Sequence, residues 1–128
     1  MPKVSVLTVS HNRPEYLAEA IESIESQTDQ DWEHLVYDNA SSGPKVFDVL
    51  NAARRRNHDR FAYLFGRNHG ELGRCWNLLL KQSRGEYVTI LDDDNRKLPD
   101  FIEKMRVPLD ADPDIGATSC GWRFIDSL

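Results

Sequence analysis

The sequence predicts an α/β domain with a doubly wound, mainly parallel sheet and helices on both faces. Three observations carry that expectation. Short apolar, β-branched runs alternate with segments of helical periodicity, the spacing between runs suits βαβ units, and polar residues gather just after the runs.

The first strand is "VSVLTV", residues 4–9, whose nearly continuous apolar character fits a strand buried on both faces. Pro14 then opens a helix, with Asn12 as its expected cap and Leu17, Ala20, Ile21 and Ile24 on one face. That pattern stops near Gln27. A second strand is expected over residues 34–38, followed by the turn "NASSGP" and a helix starting at Pro44 with Val46, Val49, Leu50 and Ala53 inside. The third strand is "FAYLF", residues 61–65. A helix over residues 72–83 follows, with Gly85 as its expected C-terminal cap. "YVTIL" makes a fourth strand, Phe101, Ile102 and Met105 mark a fourth helix, and "IGATSCGWRFID" predicts a fifth strand from Ile115 onward.

At 128 residues the chain has the length of one domain, 1–128, and can bury a core without disulfides. Cys75 and Cys120 stand alone, so both are expected as reduced core residues. A formal net charge of −5 argues against nucleic acid as a partner, and the basic run at residues 53–60 reads as the solvated end of a helix. Neither a membrane span nor a signal peptide is recognisable, which predicts a cytosolic protein. Trp32 and Tyr37 read as packing residues, Trp122 as a candidate sugar platform, and His34, His58 and His69 as surface residues.

Right-handed crossovers bring the carboxyl ends of parallel strands to one edge, where ligands bind at a switch in strand order. Ser10, His11, Asn12 and Arg13 follow the first strand, Asp38 and Asn39 end the second, Gly66, Arg67 and Asn68 follow the third, and Asp92, Asp93 and Asp94 follow the fourth. On an extended backbone Asp92 and Asp94 would share one side and Asp93 would take the other. Like charges that close call for a cation, and carboxylate oxygens suit Mg²⁺ or Mn²⁺ bridging to a diphosphate.

These stretches resemble the donor-binding part of family 2 glycosyltransferases with the GT-A fold, and in particular the spore-coat polysaccharide glycosyltransferases. The resemblance rests on "VSVLTVSHNRPEYLAEAIESIESQT", "DWEHLVYDNASSG", "NHGELGRCWN" and "GEYVTILDDDNRKLP" in that order. It implies inverting transfer of a sugar from a nucleotide diphosphate, a UDP- or dTDP-sugar, to the hydroxyl of a saccharide or other acceptor. By the same resemblance the triplet is a DxD motif, with Asp94 and Asp92 toward the metal. Ser10, His11, Asn12, Arg13, Asp38, Asn39, Asn68, Gly70, Arg74, Asp92 and Asp93 are implied to line the nucleotide sugar, His11 and the Asp38–Asn39 pair at the base. Polysaccharide biosynthesis is the implied setting, and an oligomer is compatible with it.

The chain departs from the family pattern at several places. Asn95 replaces a final acid, Asn39 an acid of the base-reading pair, and Trp76 an arginine before Asn77, leaving Arg74 as the alternative phosphate contact. The family's general base lies in an acceptor half, so it is expected beyond residue 128 and no catalytic residue is assigned. A second reading is a non-catalytic nucleotide-binding or interaction module that retains only the donor-binding fold. A response-regulator receiver is disfavoured, because its acids follow the first and third strands.

Overall fold

A computed structural model describes residues 1–67 and 70–125. The chain alternates β1 (Val4–Ser10), α1 (Pro14–Glu25), β2 (Trp32–Asn39), α2 (Lys45–Arg56), β3 (Phe61–Gly66), α3 (Leu72–Gln82), β4 (Tyr87–Ile90) and α4 (Phe101–Ala111). The sheet order is β3-β2-β1-β4, and all three pairings are parallel. Register runs from Val4 opposite Trp32 to Ser10 opposite Asp38, and from Val4 opposite Tyr87 to Leu7 opposite Ile90. Winding goes outward from β1 to β3 and then returns to the other side of β1. The switch in direction therefore falls between β1 and β4.

Alternate residues of the central strands serve opposite faces, as strand geometry requires. On one face Val4, Val6 and Trp32 pack with Ala20 and Ile24 of α1 and Ile102 of α4, while Val36 packs with Leu17, Ile21, Val46 and Leu50 of α1 and α2. The other face packs Leu7, Val9, Leu35 and Tyr37 on Cys75 and Leu79 of α3. Every residue of β1 and β2 is buried, and each large apolar side chain so enclosed contributes roughly 1.5–3 kcal/mol. No helix among the described residues is long and apolar enough to cross a membrane.

Several expectations are corrected. Residues 115–125 form no strand. Apolar character predicts a run that wants burial, but a strand also needs a ladder partner, and this segment instead runs beside α4, with Thr118 Oγ1 donating to the Met105 carbonyl. Gly85 does not cap α3, which ends at Gln82 with Ser83 as its cap. Gly85 instead lets the chain pass against β1, where a Cβ would stand 2.5 Å from the Ser5 nitrogen. Asn12 is not the cap of α1 either; Arg13 holds that position without a side-chain cap, and Pro14 begins the helix.

His34 is not a surface residue: it is 1 % exposed, with Nε2 at 2.8 Å from Thr8 Oγ1. Cys120 is exposed, whereas Cys75 is buried as expected. Trp32 and Tyr37 are core residues, and Arg60 stacks on Trp32 at 4.1 Å. The arginines at 54–56 close the last turn of α2, where their charge complements the helix dipole.

A buried charge is also present beneath α3. Glu33, 1 % exposed, accepts from Ser5 Oγ at 2.6 Å, from the Arg84 backbone N–H at 2.6 Å and from Arg84 Nε at 2.8 Å. Burial pushes its carboxyl up, but these hydrogen bonds outweigh that and leave it below the usual value. Gly85 N–H completes the arrangement by donating to Ser5 Oγ at 2.8 Å.

Candidate functional site

The switch between β1 and β4 opens at the carboxyl edge, where the loop after β1 meets the acidic turn after β4. β4 ends at Ile90, so residues 92–94 lie in a turn and not on extended backbone. The expected alternation of the three aspartates is thereby overturned. Asp93 is the one turned inward, 8 % exposed, while Asp92 and Asp94 are exposed.

Asp93 is held from the β1 side. Ser10 Oγ donates to its Oδ2 at 3.1 Å, and the His11 backbone N–H also reaches it. Arg13 Nη1 lies 3.4 Å from Asp93 Oδ1 and 3.1 Å from Asp94 Oδ2. Burial still wins: it drives the Asp93 carboxyl above its ordinary value, Ser10 and Arg13 oppose the shift, and neighbouring Asp94 adds to it. Asp92 is exposed and accepts from the Asn95 side chain at 3.3 Å.

The loops after β1 and β2 are stitched together. Asn12 takes a left-handed φ of 51°, its N–H donates to Ser41 Oγ at 2.9 Å, and its Oδ1 accepts from the Ser42 N–H at 2.7 Å. His11 Nδ1 lies 2.6 Å from the Asn39 carbonyl. A carbonyl only accepts, so Nδ1 carries the proton, and Nε2 is left to accept from the Asn12 amide at 3.2 Å. Asp38 is fully buried and its carboxylate receives both the hydroxyl and the backbone N–H of Ser41. Asn39 is nearly buried beside it.

The structure thus brings Ser10, His11 and Arg13 to Asp93 and Asp94, with Asn12, Asp38 and Asn39 joined to the same loop through Ser41 and the His11 ring, whereas Asp92, on the same turn, is engaged by Asn95. Arg74 is exposed in the first turn of α3 and pairs with none of the three aspartates. Gly70 has a φ of 63°, the left-handed region that favours glycine. Asn68 and His69 lie outside the described residues. Trp122 is 80 % exposed and stacks edge-on with Phe124 at 4.7 Å.

Ser41 and Ser42 were missed at the level of sequence, where they read as ordinary turn residues. Lys97 was missed too. Burial lowers its pKa, Asp92 opposes that shift, and its Nζ sits 4.1 Å from the Phe101 ring centre. The signal was available in the basic pair Arg96–Lys97, one residue beyond the acidic triplet. A groove of about 250 Å³ lies elsewhere, between β4 and α4, lined by Tyr87, Val88, Met105 and Thr118.

The donor chemistry of the turn fits a hard divalent cation. No group of three or more acidic, histidine or cysteine side chains among the described residues converges enough to hold a metal alone. Two exposed carboxylates on one turn nevertheless match the pattern of Mg²⁺ and Mn²⁺ sites, which take one or two carboxylates and leave the rest to phosphate oxygens and water.

The profile of glycosyl transferase family 2 matches residues 5–127. The chain belongs to that family. It is 31 % identical over 128 residues to an uncharacterized glycosyltransferase of Methanocaldococcus jannaschii, covering 98 % of this chain and 43 % of that one. It is 39 % identical over 100 residues to a Campylobacter jejuni GalNAc(5)-diNAcBac-PP-undecaprenol beta-1,3-glucosyltransferase, covering 77 % of this chain and 31 % of that one. Among solved structures, a Pyrobaculum calidifontis mannosyltransferase in complex with GDP-Man and Mn²⁺ superposes with a TM-score of 0.75 at 25 % identity, over 95 % of this chain and 36 % of that one. The family 2 chain described here therefore has the fold of GT-A glycosyltransferases and spans less than half the length of these relatives.

Proposed function

We propose that this family 2 chain is the donor-binding part of an inverting glycosyltransferase, one that takes a UDP- or dTDP-sugar and passes the sugar to a hydroxyl of a saccharide or other acceptor. The observation that carries the reading is the approach of Ser10, the last residue of β1, and Arg13, just after it, to Asp93 and Asp94, after β4, at the switch point of the sheet. Asp94 and Asp92 are the proposed ligands of Mg²⁺ or Mn²⁺. When bound, that ion stabilises charge on the leaving diphosphate as a Lewis acid. The Mn²⁺ and GDP-Man in the Pyrobaculum complex support a nucleotide-sugar donor and a divalent metal.

His11 and the Asp38–Asn39 pair form the proposed base-binding wall. The protonated Nδ1 of His11, held by the Asn39 carbonyl, fixes the ring against the loop after β2. Asp38 is engaged by Ser41, so its part is to set that wall's shape, and Asn39 offers the amide. Arg13, Arg74, Gly70 and Asn68 complete the proposed contacts to the donor. None of the described residues is assigned as the base that takes the acceptor's proton, so efficient transfer by residues 1–128 alone is not expected. A cytosolic setting, with Cys75 and Cys120 as free thiols, belongs to the same reading.

Calorimetry with Mn²⁺ and a panel of UDP, dTDP and GDP tests it. Metal-dependent heat with UDP or dTDP is expected, and heat with GDP alone would correct the base. No heat and no thermal shift with any of them overturns the reading, whereas tight binding without any release of nucleotide from a sugar donor favours the non-catalytic module.

A further inference from the structure

The acidic turn already holds a cation, and it is part of the chain. Arg13 Nη1 contacts Asp94 Oδ2 at 3.1 Å and Asp93 Oδ1 at 3.4 Å. Asp93 has other support, from Ser10 and the His11 backbone. Asp94 differs: among the described residues Arg13 is the one hydrogen-bond or ion-pair partner it has. We propose that Arg13 is a resident counter-cation of the turn, displaced from Asp94 when a divalent ion binds there. The inference rests on the metal reading above and adds to it that metal binding is an exchange of one cation for another.

Three features make the exchange physically reasonable. First, the side chain is free to leave while its backbone stays. The Arg13 carbonyl accepts the first helical hydrogen bond of α1, from Leu17 N–H at 2.9 Å, and Pro14 fixes the chain that follows. Second, the grip is weak for an arginine. A single nitrogen reaches both carboxylates where a strong pair uses two in parallel, and both Arg13 and Asp94 are about half exposed, at 52 % and 48 %. Third, one guanidinium serves both Asp93 and Asp94, with Asp92 next to them in sequence, so the turn is left with excess negative charge that a doubly charged ion balances better.

The consequence concerns timing as well as affinity. While Arg13 occupies the turn, metal alone has to compete with it. A diphosphate arriving with the metal offers the released guanidinium a new anion, so metal and nucleotide favour each other's binding.

Mn²⁺ titration of the nucleotide-free protein, read by loss of the free-ion EPR signal, tests the exchange. Arg13→Gln is expected to bind Mn²⁺ about three- to fivefold more tightly than the wild type, the upper part of the range for an ion pair of this exposure. Arg96→Gln removes the same charge two residues from Asp94, where Arg96 lies 3.8 Å from Glu19, and its affinity is expected to stay within about twofold of wild type. Arg13→Lys, which keeps the charge, is expected to restore most of the competition. In the wild type, a Mg²⁺ titration followed through the Arg13 Nε–Hε resonance reads release directly and does not depend on a variant folding.

Equal or weaker Mn²⁺ binding by Arg13→Gln, an equal gain in Arg96→Gln, or an Arg13 resonance unmoved at saturating Mg²⁺ overturns the exchange while leaving the metal site standing. Absence of Mn²⁺ binding in wild type and variant alike, with and without UDP, is a different result. It removes the metal reading, and the exchange with it.

Discussion

Ser10 and Asp93 meet across the switch between β1 and β4, Ser10 Oγ donating to Asp93 Oδ2 at 3.1 Å with both side chains buried. The contact ties the end of β1 to the acidic turn, 83 residues away in sequence. Ser10→Ala should therefore push the Asp93 carboxyl still further up and cost about 1–3 kcal/mol, the penalty for leaving a buried acceptor short of a donor. Carbon-detected NMR titration of the aspartates and urea unfolding measure the two effects. An Asp93 pKa unchanged in the variant would show that Ser10 does not carry the link.

Asp94→Ala is expected to abolish metal-dependent nucleotide binding yet leave stability within about 0.5 kcal/mol of wild type. Asp94 is about half exposed, and its removal relieves repulsion on the buried Asp93. Calorimetry with Mn²⁺ and UDP, beside a thermal melt, decides the matter. Undiminished affinity would move the metal away from this turn.

His34 gives the fold a pH dependence. Burial lowers its pKa from 6.5 to about 3, so the folded protein keeps the ring neutral while the unfolded chain takes up a proton below pH 6.5. Its contribution to stability is thus intact above pH 6.5 and is lost as pH falls toward 3. The expected slope from this group approaches about 1.4 kcal/mol per pH unit. Urea unfolding at pH 7 and pH 5 should show the loss, and His34→Gln, which keeps a partner for Thr8, should flatten it. An identical slope in the variant would assign the effect to other groups.

Gly85→Ala tests the passage of the chain beneath α3. The new Cβ would sit 2.5 Å from the Ser5 nitrogen and 2.8 Å from the Val4 carbonyl carbon, both backbone atoms of the central strand. Relief requires the 84–86 segment to move away from β1, which loosens Gly85 N–H from Ser5 and Arg84 from Glu33. A loss of about 1–3 kcal/mol or more is expected in urea unfolding. A variant as stable as wild type would mean that this approach is readily relaxed.

Much of the fold was legible in the sequence because burial leaves a period behind. The stripes Leu17, Ala20, Ile21, Ile24 and Val46, Leu50, Ala53 are buried as the helical spacing predicted, with Val49 of the second stripe only partly buried, and all four strands through "YVTI" pair in parallel. The same signal failed for residues 115–125, since an apolar pattern reports a wish for burial and says nothing of which hydrogen-bonding edge is within reach. His34 was misread for a related reason. A polar side chain in a strand shows no sign of its depth until a partner such as Thr8 is known.

By itself the sequence determined the order of elements and the residue types gathered at the strand ends, because both are local: periodicity, turn chemistry and the sign of charge are written residue by residue. Only the tertiary structure decided that β4 returns beside β1, that Asp93 and not Asp92 or Asp94 turns inward to Ser10, and that Arg13 stands over Asp94. Those are relations between segments about eighty residues apart in sequence. They are set by the packing of both faces of the sheet, which no local pattern encodes.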